Sequence, residues 1–192
     1  MNKLASEHTS AQPITPDKII HFWFEEIEPK QWWIKDSTFD ALIKQRFGEL
    51  LEQAILGELY HWRATPEGRL AEIIVLDQFS RNIYRDTPKA FAADPIALVL
   101  AQEAVALNCD SELKAKQVPF LFMPYMHSES KVVHDVAVRL FNREAAQGNL
   151  DFELRHKAII DQFGRYPHRN AILGRESTAE EVAFLQQPGS SF

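Results

Sequence analysis

Cysteine is scarce in this sequence, and long hydrophobic runs are missing from it. The single cysteine among 192 residues, Cys109, excludes an internal disulfide bond and a multi-cysteine zinc site, which suits a reducing compartment. No apolar run approaches the roughly 20 residues that a membrane-spanning helix needs, and the polar start MNKLASEHTSAQ lacks the apolar core of a signal peptide. We therefore expect a cytoplasmic protein without a membrane partner.

Positive charge is also in short supply. The chain has 21 Lys and Arg residues against 27 Asp and Glu residues, which gives a formal net charge of -6. Domains that attract nucleic-acid phosphates usually carry an excess of Lys and Arg, so this balance argues against a nucleic-acid partner. Glycine-rich nucleotide-binding loops and the metal-ligand spacing HExxH are missing as well, and we therefore expect no cofactor and no metal site.

The proportions of hydrophobic and charged residues are ordinary for a globular protein. With 45% hydrophobic and 25% charged residues, a chain of 192 can build one domain with a sizeable core. No low-complexity linker divides the sequence. We predict a disordered tail over residues 1–13 and a single all-helical domain over residues 14–192.

Helix start signals dominate the remainder of the chain. Thr15, Thr65, Thr87 and Asp94 each precede a proline, which places an N-cap side chain before the residue favoured at the first helical position. Apolar residues recur at intervals of three and four, and alternating runs flanked by hairpin turns are missing. The fold class is therefore all-α. The predicted helices cover residues 16–26, 37–56, 66–83, 95–107, 112–124, 129–147, 150–165 and 178–187.

Other residues mark the ends of particular helices. Ser128 is predicted to cap the helix that follows it, and Ser177 with Glu180 three residues later is typical of a capping box. Gly57 and Gly148 stand where a helix C-terminus favours a residue that tolerates positive φ. These four signals predict where three of the helices begin or end.

One short motif occurs twice. LDQFSRNIYRD begins at Leu76 and IDQFGRYPHRN at Ile160, and both contain Asp-Gln-Phe, an Arg, and a second Arg four residues later. Each copy continues an apolar stripe with the helical spacing i, i+4, i+7 and i+11. The members of a stripe fall within about 60° of one another, so each Asp and Arg is predicted to face the core. The stripes are Leu70, Ile74, Asp77, Arg81 and Leu154, Ala158, Asp161, Arg165.

The repeated charged residues have two interpretations. The favoured one is that Asp77 with Arg81, and Asp161 with Arg165, form structural ion pairs, because buried charges occur mostly as satisfied pairs. The other is that both copies contribute to a binding site. In both cases we expect the copies to meet in a shared polar layer, which places Asp77 near Arg165 or Arg169.

A local excess of positive charge surrounds the second copy. Residues 155–175 include five Lys or Arg and one acidic residue. Pro167 must end the preceding helix, which leaves His168, Arg169 and Asn170 on a loop whose planar donors suit a carboxylate or phosphate. We expect Arg169→Ala to change stability little, as surface substitutions usually do. The alternative is that these cations pair with the acidic segment STAEE and with a helix C-terminus.

The segment MPYMHSE supplies candidate catalytic residues. His127 precedes the predicted cap and lies close in sequence to Glu129, an arrangement that can orient a general acid or base. The third catalytic candidate is His168. The alternative for His127 is a structural residue that hydrogen-bonds beside the helix cap.

Aromatic residues are concentrated between Trp23 and Trp33. The segments HFWFEE and QWW are predicted to pack the first helix against the body of the protein, because large aromatic side chains dominate ordinary cores. The alternative is a platform on which a ligand stacks.

Several long segments together resemble one bacterial family. They include HFWFEE, GRLAEIIVLDQFSRNIYRDTPKAFAADPIAL, FMPYMHSE, FGRYPHRNAILGRESTAEEVAFL and the closing GSSF. The chain resembles, over nearly its whole length, the domain-of-unknown-function family number 924. The resemblance implies a tetratricopeptide-like, right-handed array of antiparallel helix pairs. It implies no activity, substrate or catalytic residue.

Two functional hypotheses follow from these residues. In the first, the protein is a non-catalytic scaffold whose groove binds an anionic small molecule or a carboxylate-bearing peptide end. In the second, it is a hydrolase or lyase in which a His transfers protons while Arg side chains hold an acidic substrate. The sequence does not predict an oligomeric state. The predicted ligand-binding residues are Asp77, Gln78, Arg81, Asn82, Arg85, Asp161, Arg165, His168, Arg169 and Asn170.

Overall fold

The structure is a computed structural model that describes residues 13–191, and the regular elements in this span are helices. No β-strand occurs in that span, so the all-α prediction is confirmed. The predicted tail over residues 1–13 lies outside the described residues except for Pro13. The α-helices are α1 (Pro16–His21), α2 (Ser37–Ile55), α3 (Pro66–Ile74), α4 (Ser80–Ile83), α5 (Lys89–Ala92), α6 (Asp94–Ala106), α7 (Val118–Met126), α8 (Lys131–Phe141), α9 (Leu150–Phe163), α10 (Asn170–Leu173) and α11 (Ala179–Leu185).

Shorter helical turns extend or connect these helices. A π-helical turn, Phe22–Glu26, continues α1, and a second one, Val75–Phe79, joins α3 to α4. The predicted helices over 16–26 and 66–83 are therefore continuous helical stretches. The 3-10 turns are Pro29–Trp32, Tyr60–Ala64, Cys109–Ser111, Glu144–Asn149 and Pro167–Arg169.

Side-chain caps explain several helix starts. The backbone N–H of Gly68 donates to the Thr65 hydroxyl at the start of α3, as the Thr-Pro pair predicted. The cap of α8 is Ser130, whose hydroxyl accepts from Val133, so the prediction of Ser128 was wrong by two residues. The capping box of α11 lies one residue later than predicted, at Thr178 and Glu181.

The other start signals work differently from the prediction. The Thr15 side chain makes no cap hydrogen bond at α1, and the Thr87 hydroxyl donates to the Tyr84 carbonyl. Asp94 lies inside α6, where its carboxylate forms ion pairs. The Thr-Pro and Asp-Pro pairs therefore located helix starts more reliably than they identified the capping group.

Two predicted helices differ from the structure in length. The helix predicted over 112–124 begins only at residue 118, and the one predicted over 129–147 ends at residue 141. Gly57, with φ of 75°, follows α2 as predicted. Gly148 was predicted to end a helix in the same way, but it lies in the 3-10 turn and its φ is not positive.

One hydrophobic core joins most of the helices. Phe22, Trp23 and Phe24 are buried in it, so the predicted packing of the first helix on the body is confirmed. Phe79, from the π-helical turn after α3, contacts this group, and its ring lies 5.6 Å from that of Trp23. A smaller cluster around Tyr166 packs against α9 and α11.

The packing of the helices brings four segments together at one place. Helix α3 packs against α1, α6 and α7, while α8 packs against both α7 and α9. The ends of α4 and α7, part of α9 and the segment 166–172 surround a cleft. No helix in the described part of the chain combines the length and apolar character needed to cross a membrane.

Candidate functional site

The cleft has a volume of about 800 Å³. Helices α3 to α5 and their connections contribute Gln78, Arg81, Asn82, Arg85 and Phe91, and α7 and its C-cap contribute Met123, Met126 and His127. The opposite side consists of Phe152, Arg155, His156, Tyr166, His168, Arg169 and Ile172, and Trp32, Trp33 and Lys35 complete the wall. Aromatic and thioether side chains with a few polar groups are typical of small-molecule sites.

A carboxylate–histidine pair stands in this wall. The Asp77 carboxylate lies 2.7 Å from Nδ1 of His127. The side chain of Asp77 is 1% exposed and that of His127 is 16% exposed. Burial would raise the pKa of Asp77, but Arg81 and then His127 outweigh that effect and hold it well below its usual range. The partner of His127 is therefore Asp77.

Glu129, which the sequence suggested as that partner, is occupied elsewhere. Its carboxylate forms a two-point ion pair with Arg175, at 2.6 and 3.0 Å, and accepts from the backbone N–H of Tyr166. Burial raises the pKa of Glu129, but the hydrogen bond from Arg175 contributes to a net decrease. Glu129 is thus held by Arg175 and Tyr166 and does not contact His127 as its partner, so its predicted catalytic role stays a prediction.

Arg81 and Arg169 share one carboxylate behind the cleft wall. Arg81 donates to both oxygens of Asp94, at 2.8 and 3.0 Å, and lies 3.1 Å from Asp77. Arg169 lies 3.3 Å from Asp94 and also donates to the carbonyl of His127. Two guanidinium groups and two carboxylates form this cluster, so its net charge is close to zero.

Arg169 is buried, in contrast to the prediction of a surface loop residue. Its residue exposure is 6%, and its guanidinium lies 4.5 Å from the ring centre of Phe91 and 4.6 Å from that of Tyr166. Such cation–π contacts are strongest when water is excluded. Burial, followed by repulsion from Arg81, lowers the pKa of Arg169. The side chain both supports and lines the cleft.

Arg85 and Asn82 are held by a residue outside the motif. Arg85 donates twice to Asp40 of α2, at 2.6 and 2.8 Å, and Asn82 donates to the same carboxylate at 2.8 Å. A bidentate Arg–carboxylate pair fixes both side chains. Arg85 and Asn82 therefore line the cleft from fixed positions, and the charge of Arg85 is already compensated.

Of the charged residues in the second copy of the motif, Arg169 lines the cleft, whereas Asp161 and Arg165 do not. Asp161 is 48% exposed and pairs with Lys157, while Arg165 forms a two-point pair with Glu181 at 2.7 and 2.8 Å. Asn170 is 1% exposed and also donates to Glu181. The predicted ligand-binding residues Asp161, Arg165 and Asn170 therefore lie outside the lining of the cleft, where other residues engage them.

The shared polar layer exists only in part. Arg169 pairs with Asp94, which also pairs with Arg81 of the first copy, so the two copies are linked through Asp94. Asp77 itself pairs with Arg81 and His127. Arg165 and Asp161 lie outside this cluster. The alternative interpretation, in which the loop cations pair with STAEE, is correct for Arg165, because Glu181 is the last residue of that segment.

The prediction missed two cations that line the cleft. Lys35 follows the aromatic segment and Arg155 lies on α9, and neither has a carboxylate within 4 Å among residues 13–191. The Arg155 guanidinium lies over the ring of Phe152, 5.8 Å from its centre. Both residues are exposed. The local charge count already included Arg155, but nothing in the sequence marked Lys35.

Two further histidines of the cleft wall are neutral at physiological pH. Burial, opposed by a hydrogen bond to the Phe152 carbonyl, lowers the pKa of His156 to about 3. Burial and then the charge of Arg169 lower the pKa of His168 to about 4. Among the described residues, no group of His, Cys, Asp and Glu is arranged to hold a metal ion.

Comparisons with known proteins find similarity over nearly the whole chain. A family model described as a bacterial protein of unknown function, DUF924, matches residues 19–189. A protein of unknown function from Agrobacterium tumefaciens has a similar solved structure, with a TM-score of 0.85 and 34% sequence identity. That match covers 90% of this chain and 97% of the other. None of the curated proteins matches the sequence.

Proposed function

The chain belongs to the DUF924 family of bacterial proteins, whose function is unknown, and we propose a function from the cleft itself. The cleft binds a small molecule that carries a carboxylate or phosphate on an apolar body. The observation that carries this proposal is a large cleft with an aromatic wall and two cations, Lys35 and Arg155, that have no carboxylate partner.

The volume and the wall set the size and polarity of the ligand. About 800 Å³ lies within the range of pockets for drug-sized molecules. Met123, Met126 and Phe152 supply apolar surface, and methionine adapts its shape to different partners. The apolar part of the ligand accordingly supplies most of the buried area.

The distribution of charge in the cleft indicates that the ligand carries negative charge. Arg81, Arg85 and Arg169 line the cleft, but Asp77, Asp94 and Asp40 compensate them. These arginines therefore give shape and hydrogen-bond donors rather than net charge. Lys35 and Arg155 add uncompensated positive charge at exposed positions, where a ligand anion retains contact with water.

The proposal retains three finer expectations from the sequence. We propose a tetratricopeptide-like right-handed arrangement of the helices, a cytoplasmic location, and no nucleic-acid partner. A repeat-like arrangement would make the cleft part of a concave face, the surface that helical-repeat proteins use for binding. Gln78, which lines the cleft and hydrogen-bonds Asp77, would then be a contact residue together with Asn82.

Thermal unfolding with a small panel of anions tests this function. Octanoate and phenyl phosphate should raise the melting temperature in a concentration-dependent manner, and more than acetate or inorganic phosphate, because they also bury apolar surface. In the double variant Lys35→Gln/Arg155→Gln these shifts should disappear.

A matched control separates the cleft from general surface charge. Lys44 and Arg139 are exposed, have no carboxylate within 4 Å in the described span, and lie outside the cleft. Lys44→Gln/Arg139→Gln removes the same charge and should keep the wild-type shifts. Equal shifts in both double variants, or no shift with any apolar anion, would contradict the proposed binding.

A further inference from the structure

Residues 13–191 contain two buried histidine–carboxylate pairs, and only one of these two faces a cleft. In the first, His134 lies 2.7 Å from Glu153, its other ring nitrogen lies 2.9 Å from the Ser128 carbonyl, and both side chains have 0% exposure. Both ring nitrogens of His134 are engaged. This pair holds α8 to α9 and has no ring nitrogen that can serve a ligand.

The second pair, Asp77 and His127, leaves a ring nitrogen available. Nδ1 of His127 lies 2.7 Å from Asp77, and Nε2 makes no hydrogen bond to any residue of the described span. Because Asp77 is ionised, it accepts, so the proton of neutral His127 resides on Nδ1. Nε2 then carries a lone pair on a side chain that lines the cleft.

The carboxylate is itself held in place. Asp77 accepts hydrogen bonds from Gln78 and lies 3.1 Å from Arg81, and its side chain is 1% exposed. The backbone carbonyl of His127 accepts from Arg169, which is packed between two aromatic rings. Both ends of the pair are therefore positioned before any ligand binds, as a catalytic acid–base pair requires.

We propose that the protein is an enzyme in which His127 is the general base, through Nε2, and Asp77 is its positioning residue. The inference rests on the proposed function in one respect, since the natural substrate is taken to be the ligand of the cleft. Nε2 removes a proton from the substrate or from a water molecule that attacks it. The proton remains on the imidazolium, which Asp77 stabilises, and then passes to the product or to water.

Charged groups from several helices surround His127 and determine its protonation state before a substrate binds. Asp77 and Arg81 lie on its α3–α4 side, Asp94 lies on α6, and Arg169 lies in the segment after α9. His156 of α9 lies on the same cleft wall. Burial lowers the pKa of His127, Arg81 lowers it further, and Asp77 opposes both. The imidazole is thus neutral at pH 7, which is the form that a base needs.

A neutral probe tests the base without knowledge of the natural substrate. When a base removes the C3 proton of 5-nitrobenzisoxazole, the N–O bond breaks and 2-cyano-4-nitrophenolate forms, which is followed by its absorbance. The probe is small, planar and apolar, and it fits the cleft. The wild-type protein should accelerate this elimination above the buffer rate with saturation, and the rate should fall only below about pH 6.5, where histidine ordinarily becomes protonated.

The decisive variant is His127→Asn. The asparagine amide can still donate from the position of Nδ1 to Asp77, but it has no counterpart of Nε2. The protein-dependent rate should fall about 100-fold or more. The control His61→Asn removes an exposed histidine that lies outside the cleft, and it should retain the rate. A wild-type rate equal to buffer, or an unchanged rate in His127→Asn, would overturn the proposal.

A separate variant, measured by its rate and its pH profile, tests the role of Asp77. Asp77→Asn should lower the rate and move the midpoint of the pH profile to lower pH, because Asp77 raises the pKa of His127. An unchanged rate and midpoint would overturn the assignment of Asp77 as the positioning residue. If either variant does not fold, the ¹⁵N spectrum of wild-type His127 at pH 7.5 decides. Protonated Nδ1 with unprotonated Nε2 supports the proposal, and the opposite tautomer contradicts it.

The experiment also separates this inference from the proposed anion binding. The probe has no charge, so its elimination by the wild-type protein is measured independently of anion-induced stabilisation. Elimination by a wild-type protein that apolar anions also stabilise supports both ideas. Elimination by a protein that no anion stabilises would contradict only the proposed ligand class. Stabilisation by anions without elimination would contradict only the assignment of His127 as the general base.

Discussion

The two copies of the Asp-Gln-Phe motif share these three residues and two arginines, but their aspartates lie in opposite environments. In the first copy, Asp77 is 1% exposed and meets Arg81 and His127 at the cleft. In the second copy, Asp161 is 48% exposed and pairs with Lys157 one turn away. A short motif therefore does not determine whether its charges are buried, because the surrounding helices decide which face is covered.

The backbone after each copy explains part of the difference. In the first copy, Ser80 continues the helix into α4, so that Arg81 projects from a helical position towards Asp94. Arg85 lies in the turn that follows α4 and pairs with Asp40. In the second copy, Gly164 takes the place of Ser80 with φ of 70° and ends α9. The arginine that follows leaves the helix and pairs with α11 instead.

The orientation of α9, the helix that carries the second copy, explains the rest of the difference between the copies. Its buried face includes Glu153, His156 and Ile160, whereas Leu154 is 45% exposed. The predicted stripe through Leu154 and Asp161 was therefore rotated away from the true one. A buried Glu and a buried His in contact with other buried groups cannot be recognised from apolar periodicity, which counts them as polar.

Substitution of the two aspartates should show the largest difference between the copies. Asp77→Asn leaves Arg81 with less compensation in a buried cluster and should lower the free energy of unfolding by about 3 to 5 kcal/mol. Asp161→Asn removes an exposed pair with Lys157 and should change it by less than about 1 kcal/mol. Urea denaturation measures both. Equal effects at the two positions would contradict the burial difference described here.

Two arginines on the cleft wall offer the next comparison. Arg169→Ala removes an ion pair and two cation–π contacts of a buried side chain, and should lower the unfolding free energy by about 3 kcal/mol. Arg155→Ala removes an exposed side chain without a carboxylate partner and should cost under about 0.5 kcal/mol. Thermal and urea unfolding of both variants would test this. A stable Arg169→Ala protein would restore the original expectation of a surface residue.

The sequence predicted the helices better than it predicted their caps. Proline and apolar spacing identify helices because they act locally, within one or two turns. The choice between Ser128 and Ser130 as the cap of α8 depends on which hydroxyl reaches the N–H of Val133 in the folded chain. Local sequence offers both serines equally, so such shifts of one or two residues are expected.

Part of the cleft was also predictable. The motif and the histidine segment pointed to Arg81, His127 and Arg169, all of which line the cleft. The partner of His127 was not predictable, because Asp77 lies 50 positions away and Glu129 only two. Lys35 was missed for a similar reason, since it reaches the cleft wall only after the chain has folded.

His156, on the helix that carries the second copy, should make the free energy of unfolding depend on pH in the acid range. Its pKa is lowered to about 3 in the folded state, so between pH 6.5 and 3 the unfolded chain binds a proton that the folded chain does not. Stability from this residue is therefore lost on acidification, by about 2 kcal/mol at pH 5. Comparison of wild type with His156→Asn at pH 7 and pH 5 isolates the contribution. A pH dependence that is identical in both proteins would rule it out.

The smallest expected effect concerns the glycine that distinguishes the two copies. Gly164 has φ of 70°, and a Cβ added there would meet no atom within 4 Å, so Gly164→Ala introduces backbone strain alone. We expect a loss of about 1 kcal/mol in unfolding free energy. Gly148 is the matched control, because its surroundings are equally open and its φ is not positive. Gly148→Ala should leave stability unchanged or raise it by a few tenths of a kcal/mol, about the effect of reduced freedom in the unfolded chain. If Gly164→Ala behaves like Gly148→Ala in urea denaturation, the left-handed residue is not what ends α9 and directs Arg165 towards Glu181.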